Sequence, residues 1–351
     1  MIIKKLLLTH YRNFDFFESN FSPSITLIIG NNGVGKTNLL EAISLLTPGK
    51  GLRNADAEEI CQNGEDDWHL ASTATTKIGE AQLDILYSKS HPRKLVHFNG
   101  AKITNSELSN FMNIIWLTPQ MENIFLGGPA DRRKFLDRMV FASFSNHAQL
   151  VNKYEHHQRE RMKILENNPY DSTWLDIVEK EMANLAIDII GNRLKTIERI
   201  NKNTKAMDSV FPKAVLKLES EIIELLNEAR PEDLVIDRLK RNREQDRISN
   251  RTAFGAQKCD MRTYYASSNI PAEICSTGQQ KALLISIIIA QQIEHAKSPI
   301  LLLDEIFVHL DEQRRKALGD FLRNNKAQAF ITSTEMEMQK YLGDSDVVEL
   351  K

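Results

Sequence analysis

The sequence predicts an α/β domain interrupted by a helical insertion, and three observations carry that prediction. A β-branched apolar run, Thr26 to Ile29, stops at Gly30 and is followed by a helical pattern opening at Gly35-Lys36-Thr37. A second apolar run, Pro299-Ile-Leu-Leu-Leu-Asp304-Glu305, has no polar alternation until it ends in two acids, as a parallel strand buried on both faces requires. Between them, from Pro129 to about Arg247, the chain is charged and patterned at a helical period. The first and last thirds are therefore assigned to one discontinuous α/β domain, residues 1–128 plus 250–351, and residues 129–249 to an inserted helical arm domain.

At 351 residues, 42% hydrophobic and 26% charged, the chain has the composition of a globular protein large enough for two domains. A net charge of −2 gives no global basic surface, so any contact with nucleic acid must come from local patches. The three cysteines, Cys61, Cys259 and Cys275, lack metal-ligand spacing and cannot all pair, which suits a reducing, cytoplasmic setting. The opening Met-Ile-Ile-Lys-Lys-Leu-Leu-Leu is too short in apolar length for a signal peptide and reads as a first strand. The longest apolar run, Ala282 to Ala290, is about half a membrane span, so no membrane crossing is expected.

Taken in order, residues 2–9 and 25–29 read as strands, with His10-Tyr-Arg-Asn-Phe14 turning between them. Thr37 to Leu46 reads as a helix with Leu39, Leu40, Ile43 and Leu46 on one face, broken by Pro48-Gly49-Lys50-Gly51. Alternating segments at 69–73, 81–87 and 94–98 predict an antiparallel meander, with Asn99-Gly100 as a type I′ hairpin turn. Ile114 to Leu117 is a further strand. Two long helices follow, interrupted at Asn167-Asn168-Pro169. In the second, Leu175, Val178, Met182, Leu185, Ile189, Leu194 and Ile197 keep a period near 3.6. A short apolar stretch (Ala214 to Leu218) and another charged helix (Pro231 to about Arg247) complete the arm. The apolar helix Ala282 to Ile293, the run ending at Asp304 and a core strand at Ala327 to Thr332 complete the α/β domain.

The chemistry is concentrated at strand ends. Gly30-Asn31-Asn32-Gly33-Val34-Gly35-Lys36-Thr37 is G-x-x-x-x-G-K-T in strand–loop–helix context, a phosphate-binding loop for ATP or GTP. The glycines allow successive backbone N–H groups to wrap a phosphate, and the helix dipole adds its positive end. Lys36 is expected on the β- and γ-phosphates and the Thr37 hydroxyl on Mg²⁺. Ile300 to Asp304 is the matching Walker B strand: Asp304 is expected to hold Mg²⁺, and Glu305 to orient and deprotonate the attacking water. Arg12 and Asn13, after the first strand, are candidate nucleotide contacts.

Cys275-Ser276-Thr277-Gly278-Gln279-Gln280-Lys281 resembles the signature motif of the ABC ATPases, normally Ser-Gly-Gly-Gln, with Thr277 in place of one glycine. Leu310-Asp311 resembles their D-loop, and Gln120, after the Ile114 strand, is the candidate Q-loop residue. The resemblance implies an ATP-dependent head-to-head homodimer in which Ser276, Gly278, Gln279 and Asp311 meet nucleotide held by the partner's phosphate-binding loop. Thr332-Ser333-Thr334 stands where many such ATPases carry a switch histidine, which implies slow hydrolysis used as a switch.

The distance from Thr37 to Ser276 resembles that of chromosome-maintenance and repair ATPases, though the helical arm is too short for a long coiled coil. Within that group the motifs resemble those of the RecF family of bacterial recombination and repair proteins. The resemblance covers nearly the whole chain: Leu8-Thr-His-Tyr-Arg-Asn-Phe14, Gly30 to Ile43, Leu117-Thr-Pro-Gln-Met121, Gly128-Pro-Ala-Asp-Arg-Arg-Lys-Phe-Leu-Asp137 and Leu303-Asp-Glu-Ile-Phe-Val-His-Leu-Asp311. It departs at Gly255-Ala256-Gln257-Lys258-Cys259-Asp260, where the family usually reads Gly-Pro-His-Arg-Asp-Asp. The resemblance implies binding of DNA at gaps and duplex–single-strand junctions, with RecR and RecO as partners in loading RecA. Candidate DNA contacts are Arg132, Arg133, Lys134 and Arg138, and the cluster Arg238, Lys240, Arg241 and Arg243, although acids are interleaved in both. A transporter ATPase subunit and an ATP-binding scaffold without turnover remain the competing readings.

Overall fold

The computed structural model describes residues 2–76, 79–167, 171–293, 299–325 and 327–351. The chain forms two compact units: Met1–Glu122, Ala206–Lys213 and Ser276–Lys351 make the first, Asn123–Lys205 and Ala214–Cys275 the second.

The first unit opens with strands β1 (Ile2–Tyr11), β2 (Phe14–Asn20) and β3 (Ile25–Ile29), then helices α1 (Lys36–Ser44) and α2 (Ala57–Ile60). The meander follows as β4 (Asp67–Thr76), β5 (Gly79–Ser88), β6 (His91–Phe98) and β7 (Ala101–Ile103), and then β8 (Ile114–Leu117). A six-stranded antiparallel sheet runs in the order β2-β1-β4-β5-β6-β7. Its alternating residues bury Leu6, Leu8, Trp68, Leu70, Leu83 and Ile85 in one core. Asn99 and Gly100, with φ of 50° and 79°, both take the left-handed conformation that a type I′ turn needs. Residues 10–14, expected as a turn, are one only at Arg12-Asn13; beyond it Phe14–Asn20 pairs back on β1 as an edge strand. Its pattern hid it, because Phe16 lies 60% exposed and breaks the apolar–polar alternation.

The second unit contains α3 (Pro129–Phe141), α4 (His147–Asn167), α5 (Ser172–Ala206), β9 (Ala214–Glu219), α6 (Glu221–Leu225), α7 (Pro231–Arg241), α8 (Arg243–Ser249), β10 (Asp260–Tyr265) and β11 (Ile270–Pro271). Of the expected interruption at 167–169, Asn168 and Pro169 lie outside the described residues. The first long helix is instead two, because Ser143, Ser145 and Asn146 are weak helix formers and the chain turns between Phe141 and His147. The expected helix from Pro231 likewise divides at Asn242. On α5 the predicted stripe is buried from Leu175 through Ile189 and again at Ile197.

Residues 250–275, expected in the α/β domain, lie in the second unit. The reason is a sheet invisible to local pattern: β10 pairs antiparallel with β9, Asp260 opposite Glu219, and with β11.

The first unit resumes with α9 (Thr277–Gln292), β12 (Ile300–Leu303), α10 (Glu312–Asn324), β13 (Ala329–Ser333), α11 (Gln339–Leu342) and β14 (Asp346–Glu349). A five-stranded sheet runs β14-β3-β13-β12-β8, every neighbour parallel. Leu303 lies opposite both Leu117 and Ile331, and Ser333 opposite Ile29, so the carboxyl ends of the four adjacent strands β3, β13, β12 and β8 align. Such an edge is where open parallel sheets place their ligands. Helix α9 is apolar all round and buried from Gln280 to Gln292, as a core helix must be. Among the described residues no helix is long and apolar enough to cross a membrane.

Candidate functional site

The phosphate-binding loop leaves β3 at Gly30 and enters α1 at Gly35, whose φ of 106° is left-handed. A side chain could not be added at either residue. A Cβ on Gly30 would lie 2.6 Å from the Leu350 carbonyl oxygen, and one on Gly35 2.7 Å from the Asn13 amide. The Asn13 Nδ2 donates to the Val34 carbonyl at 2.9 Å, and Asn38 Nδ2 donates to Asn13 Oδ1 at 2.7 Å, so Asn13 braces the loop from behind. Lys36, 6% exposed, donates from Nζ to the carbonyl oxygens of Gly30 (2.7 Å) and Asn31 (2.9 Å), which fixes its ammonium inside the loop. Asn32 and Gly33, at the crest, are exposed.

Arg12 behaves differently from its expectation as a nucleotide contact. Its guanidinium forks onto Glu41, Nε to Oε2 at 2.8 Å and Nη2 to Oε1 at 2.7 Å. Glu41 is fully buried on α1, and this hydrogen-bonded pairing raises Arg12 above its ordinary pKa. Arg12 thus anchors the helix behind the loop. No periodicity marked Glu41, since it falls between the apolar residues of α1.

Across the sheet, Thr37 Oγ1 donates toward both oxygens of Asp304, at 3.2 and 3.1 Å. Thr332, marked in the sequence only as standing where a switch histidine is common, completes the cluster. Its hydroxyl donates to Asp304 Oδ1 at 2.7 Å and accepts the Glu305 backbone N–H at 2.9 Å. Parallel pairing of β12 with β13 makes this possible, because it sets Thr332 one residue beyond the Leu303–Ile331 pair. Glu305 itself has φ of 48°, a conformation that costs a non-glycine residue about 1–3 kcal/mol and collects at functional sites. The pair of hydroxyl and carboxylate is a hard oxygen donor set of the kind Mg²⁺ takes, and the residues present fit that ion.

The remaining candidates sit around this centre. Gln120 is exposed in the turn after β8, at the same sheet edge. Ser276 caps α9: its hydroxyl accepts the Gln279 N–H at 3.3 Å while Gln279 Oε1 accepts the Ser276 N–H at 2.9 Å, a reciprocal capping box. Ser276, Gly278 and Gln279 are exposed, and nothing lies within 4 Å of a Cβ built on Gly278. Asp311 caps α10, accepting the Arg314 N–H at 2.8 Å. Lys281, 4% exposed, was missed by sequence reading. Its Nζ donates to the Val308 carbonyl (2.7 Å) and pairs with Glu122 (2.9 Å), tying the signature helix to the loops after β12 and β8.

Most cations nominated for DNA are already committed within the second unit. Arg132, 5% exposed, forks onto Asp260 at 2.7 and 2.8 Å and donates to the Gly127 carbonyl; it is an internal strut, not a surface contact. Arg133 donates to the Cys259 carbonyl at 2.9 Å, and desolvation pushes Arg138 down to about 9. Arg243 pairs with Asp176 and Glu179, Lys240 with Asp176 at 3.0 Å, and Arg238 with Glu221 at 3.2 Å. Lys134 and Arg241 are exposed.

Fold and site together define a P-loop nucleotide-binding head of the ABC and SMC type. The RecF/RecN/SMC N-terminal domain model matches residues 2–347. The "DNA replication and repair protein RecF" of Rickettsia prowazekii is 41% identical over 358 residues, covering 100% of this chain and 99% of that protein. That of Rickettsia felis is 40% identical over 357 residues, covering 100% and 98%. The chain belongs to the RecF family. A solved structure of the recombination mediator protein RecF-ATP in the RecFOR pathway superposes with a TM-score of 0.86 at 21% identity, covering 99% of this chain and 95% of the other, and shares its fold.

Proposed function

We propose that this chain is an ATP-dependent DNA-binding protein of recombinational repair and replication-fork recovery, whose ATP-bound homodimer clamps gapped or junction DNA and acts with RecO and RecR to load the recombinase. The observation that carries this reading is the meeting of Thr37 with Asp304, 267 positions apart, beside Lys36 and Glu305 at one sheet edge. Lys36 already sits in the loop and needs only to exchange two carbonyl oxygens for phosphate oxygens. Thr37 and Asp304 would hold Mg²⁺, which would supply charge neutralisation on the nucleotide phosphates. Thr332 holds the Asp304 carboxylate and the Glu305 backbone in place, and Glu305 takes the proton of the attacking water. With no histidine at Thr332 to polarise the γ-phosphate, turnover is slow and the nucleotide works as a switch. The exposed cap of α9 supports a second contact, in which Ser276 and Gly278 of one subunit meet the γ-phosphate held by the other.

The test is molar mass by light scattering, with Glu305→Gln to prevent turnover, in ADP and in ATP, with and without gapped DNA. A doubling of mass in ATP alone, strengthened by DNA, is expected. A monomer in every condition would overturn the clamp and leave an ATP-binding scaffold.

A further inference from the structure

A groove of about 740 Å³ lies within the second unit, and four separate stretches of chain build it: the first turn of α3, one face of α4, the residues after α8, and the 255–260 segment. Each stretch contributes cations: Arg133 from α3, Arg159 and Lys163 from α4, Arg251 after α8, and Lys258. Among the described residues no carboxylate lines it. In a chain of net charge −2, that is a strong local concentration of one sign.

The sequence brings these groups together by identifiable means. Arg159 and Lys163 are four residues apart on α4 and so share a face. Asn250 ends α8 in a left-handed turn, φ 51°, which redirects the chain so that Arg251 and Thr252 line the groove. Gly255, φ 136°, lets the next segment pass against Tyr154, whose hydroxyl would lie 2.0 Å from any added Cβ. Gln257 then receives the Tyr154 hydroxyl at 2.5 Å and donates to the carbonyls of Thr252 and Phe254 at 3.0 and 3.1 Å, which leaves Lys258 exposed on the wall. The departure from the family pattern at 255–260 therefore keeps a cation where the family has arginine.

Arg133 shares its guanidinium with the Cys259 carbonyl at 2.9 Å, but the other four cations differ from those absorbed elsewhere in the unit. Arg251, Lys258 and Lys163 are exposed and make no ion pair among the described residues; Arg159 has only a loose surface pair with Glu155 at 3.8 Å. Thr252, 4% exposed and lining the groove, has a hydroxyl with no hydrogen-bond partner among the described residues, an orphan that a ligand acceptor or a bridging water would satisfy. Lysine and arginine interspersed with hydroxyl and amide groups (Thr252, Gln158) is the donor set that meets phosphodiester oxygens. An acidic protein surface is a poorer fit, since among the described residues the lining offers Met162, Pro129 and Ala130 but no aromatic anchor.

We infer that this groove of Arg133, Arg159, Lys163, Arg251 and Lys258 is a seat for the phosphate backbone of DNA. The inference rests on the DNA-binding reading above and gives it a location outside the nucleotide site. The test uses the full chain and a fluorescent gapped duplex, read by anisotropy in Mg-ATP across a salt series, comparing wild type with Lys163→Gln/Lys258→Gln and Lys163→Arg/Lys258→Arg. The glutamine pair is expected to lose ~10-fold or more in affinity, with a log–log salt slope shallower by about 1.8, ~0.9 for each phosphate released. The arginine pair is expected to bind as wild type, and both variants to bind a fluorescent ATP analogue unchanged. Wild-type binding of DNA with equal affinity and slope in the glutamine pair would overturn the groove alone and point to an acidic protein partner. Selective displacement of DNA by inorganic phosphate, beyond chloride at matched ionic strength, would assign the groove to a small anion and overturn it too. Failure of the wild type to bind DNA in any nucleotide state would instead overturn the DNA-binding reading itself.

Discussion

The helical core of the second unit and the nucleotide site treat buried charge in opposite ways. In the helical core, Arg161 is fully buried and fully committed, donating to Glu179 at 2.8 Å, Asp246 at 2.7 Å and the Leu239 carbonyl at 2.9 Å. Arg193 forks likewise onto Asp137, whose carboxylate also lies 2.9 Å from Nε2 of the buried His147 in a hydrogen bond. These networks join α3, α4, α5 and the residues after them, and every charge within them has a fixed partner. At the nucleotide site, among the described residues, Lys36 is held by carbonyl oxygens and Asp304 by hydroxyls, none of them charged. Neutral partners are given up more easily than charged ones, by roughly a factor of two in hydrogen-bond strength. The difference separates charge that holds a fold from charge kept available for a ligand.

That contrast is open to direct attack. The largest effect is expected from Glu179→Ala, which leaves Arg161 and Arg243 short of a buried partner. It should cost about 3–5 kcal/mol, measured by urea denaturation; a loss under about 1 kcal/mol would mean the network is not structural. A graded effect is expected from acid. Burial alone would raise the Asp137 carboxyl, but Arg193 and His147 more than offset it, so it lies well below the usual carboxylate range. A depressed folded value contributes stability that is present above the unfolded value of ~3.9 and is lost as pH falls below it toward the folded value. Wild type should therefore lose on the order of 2 kcal/mol below about pH 4 that Asp137→Asn, already without the charge, does not lose over the same window. Urea midpoints against pH would show it, and parallel curves would refute it. The smallest effect on stability is expected from Lys36→Ala, about 1 kcal/mol or less. The same change should abolish the rise in Tm that ATP gives the wild type, so that stability and ligand binding come apart at one residue. Unfolding of that variant would erase the contrast.

The same contrast explains what could be read from the chain. The phosphate-binding loop, the Walker B strand and the signature cap were legible because each is a contiguous motif whose local conformation is set by its own residues, glycines at positive φ and a serine cap among them. The meander was legible through its period of two and the Asn99-Gly100 turn. Cations on charged helices were not, because a run of arginines has the same pattern whether its partners are water, DNA or an acid far along the chain. Arg132 finds Asp260 128 positions later, and Arg12 finds Glu41 on a helix read only for its apolar face.

By itself, then, the sequence determined the nucleotide chemistry, the α/β class, the helical insertion and the resemblance to RecF proteins, all carried by short-range pattern. Only the tertiary structure decided which charges are free. It moved residues 250–275 out of the nucleotide-binding unit through the pairing of β9 with β10, and it recruited Thr332 to Asp304 through the register of two parallel strands. It also gathered Lys163, Arg251 and Lys258 from distant stretches onto one groove. The physical reason is common to all three. Strand register and ion pairing are long-range contacts, fixed when separate segments bury their apolar faces together, and no window of local sequence contains both partners.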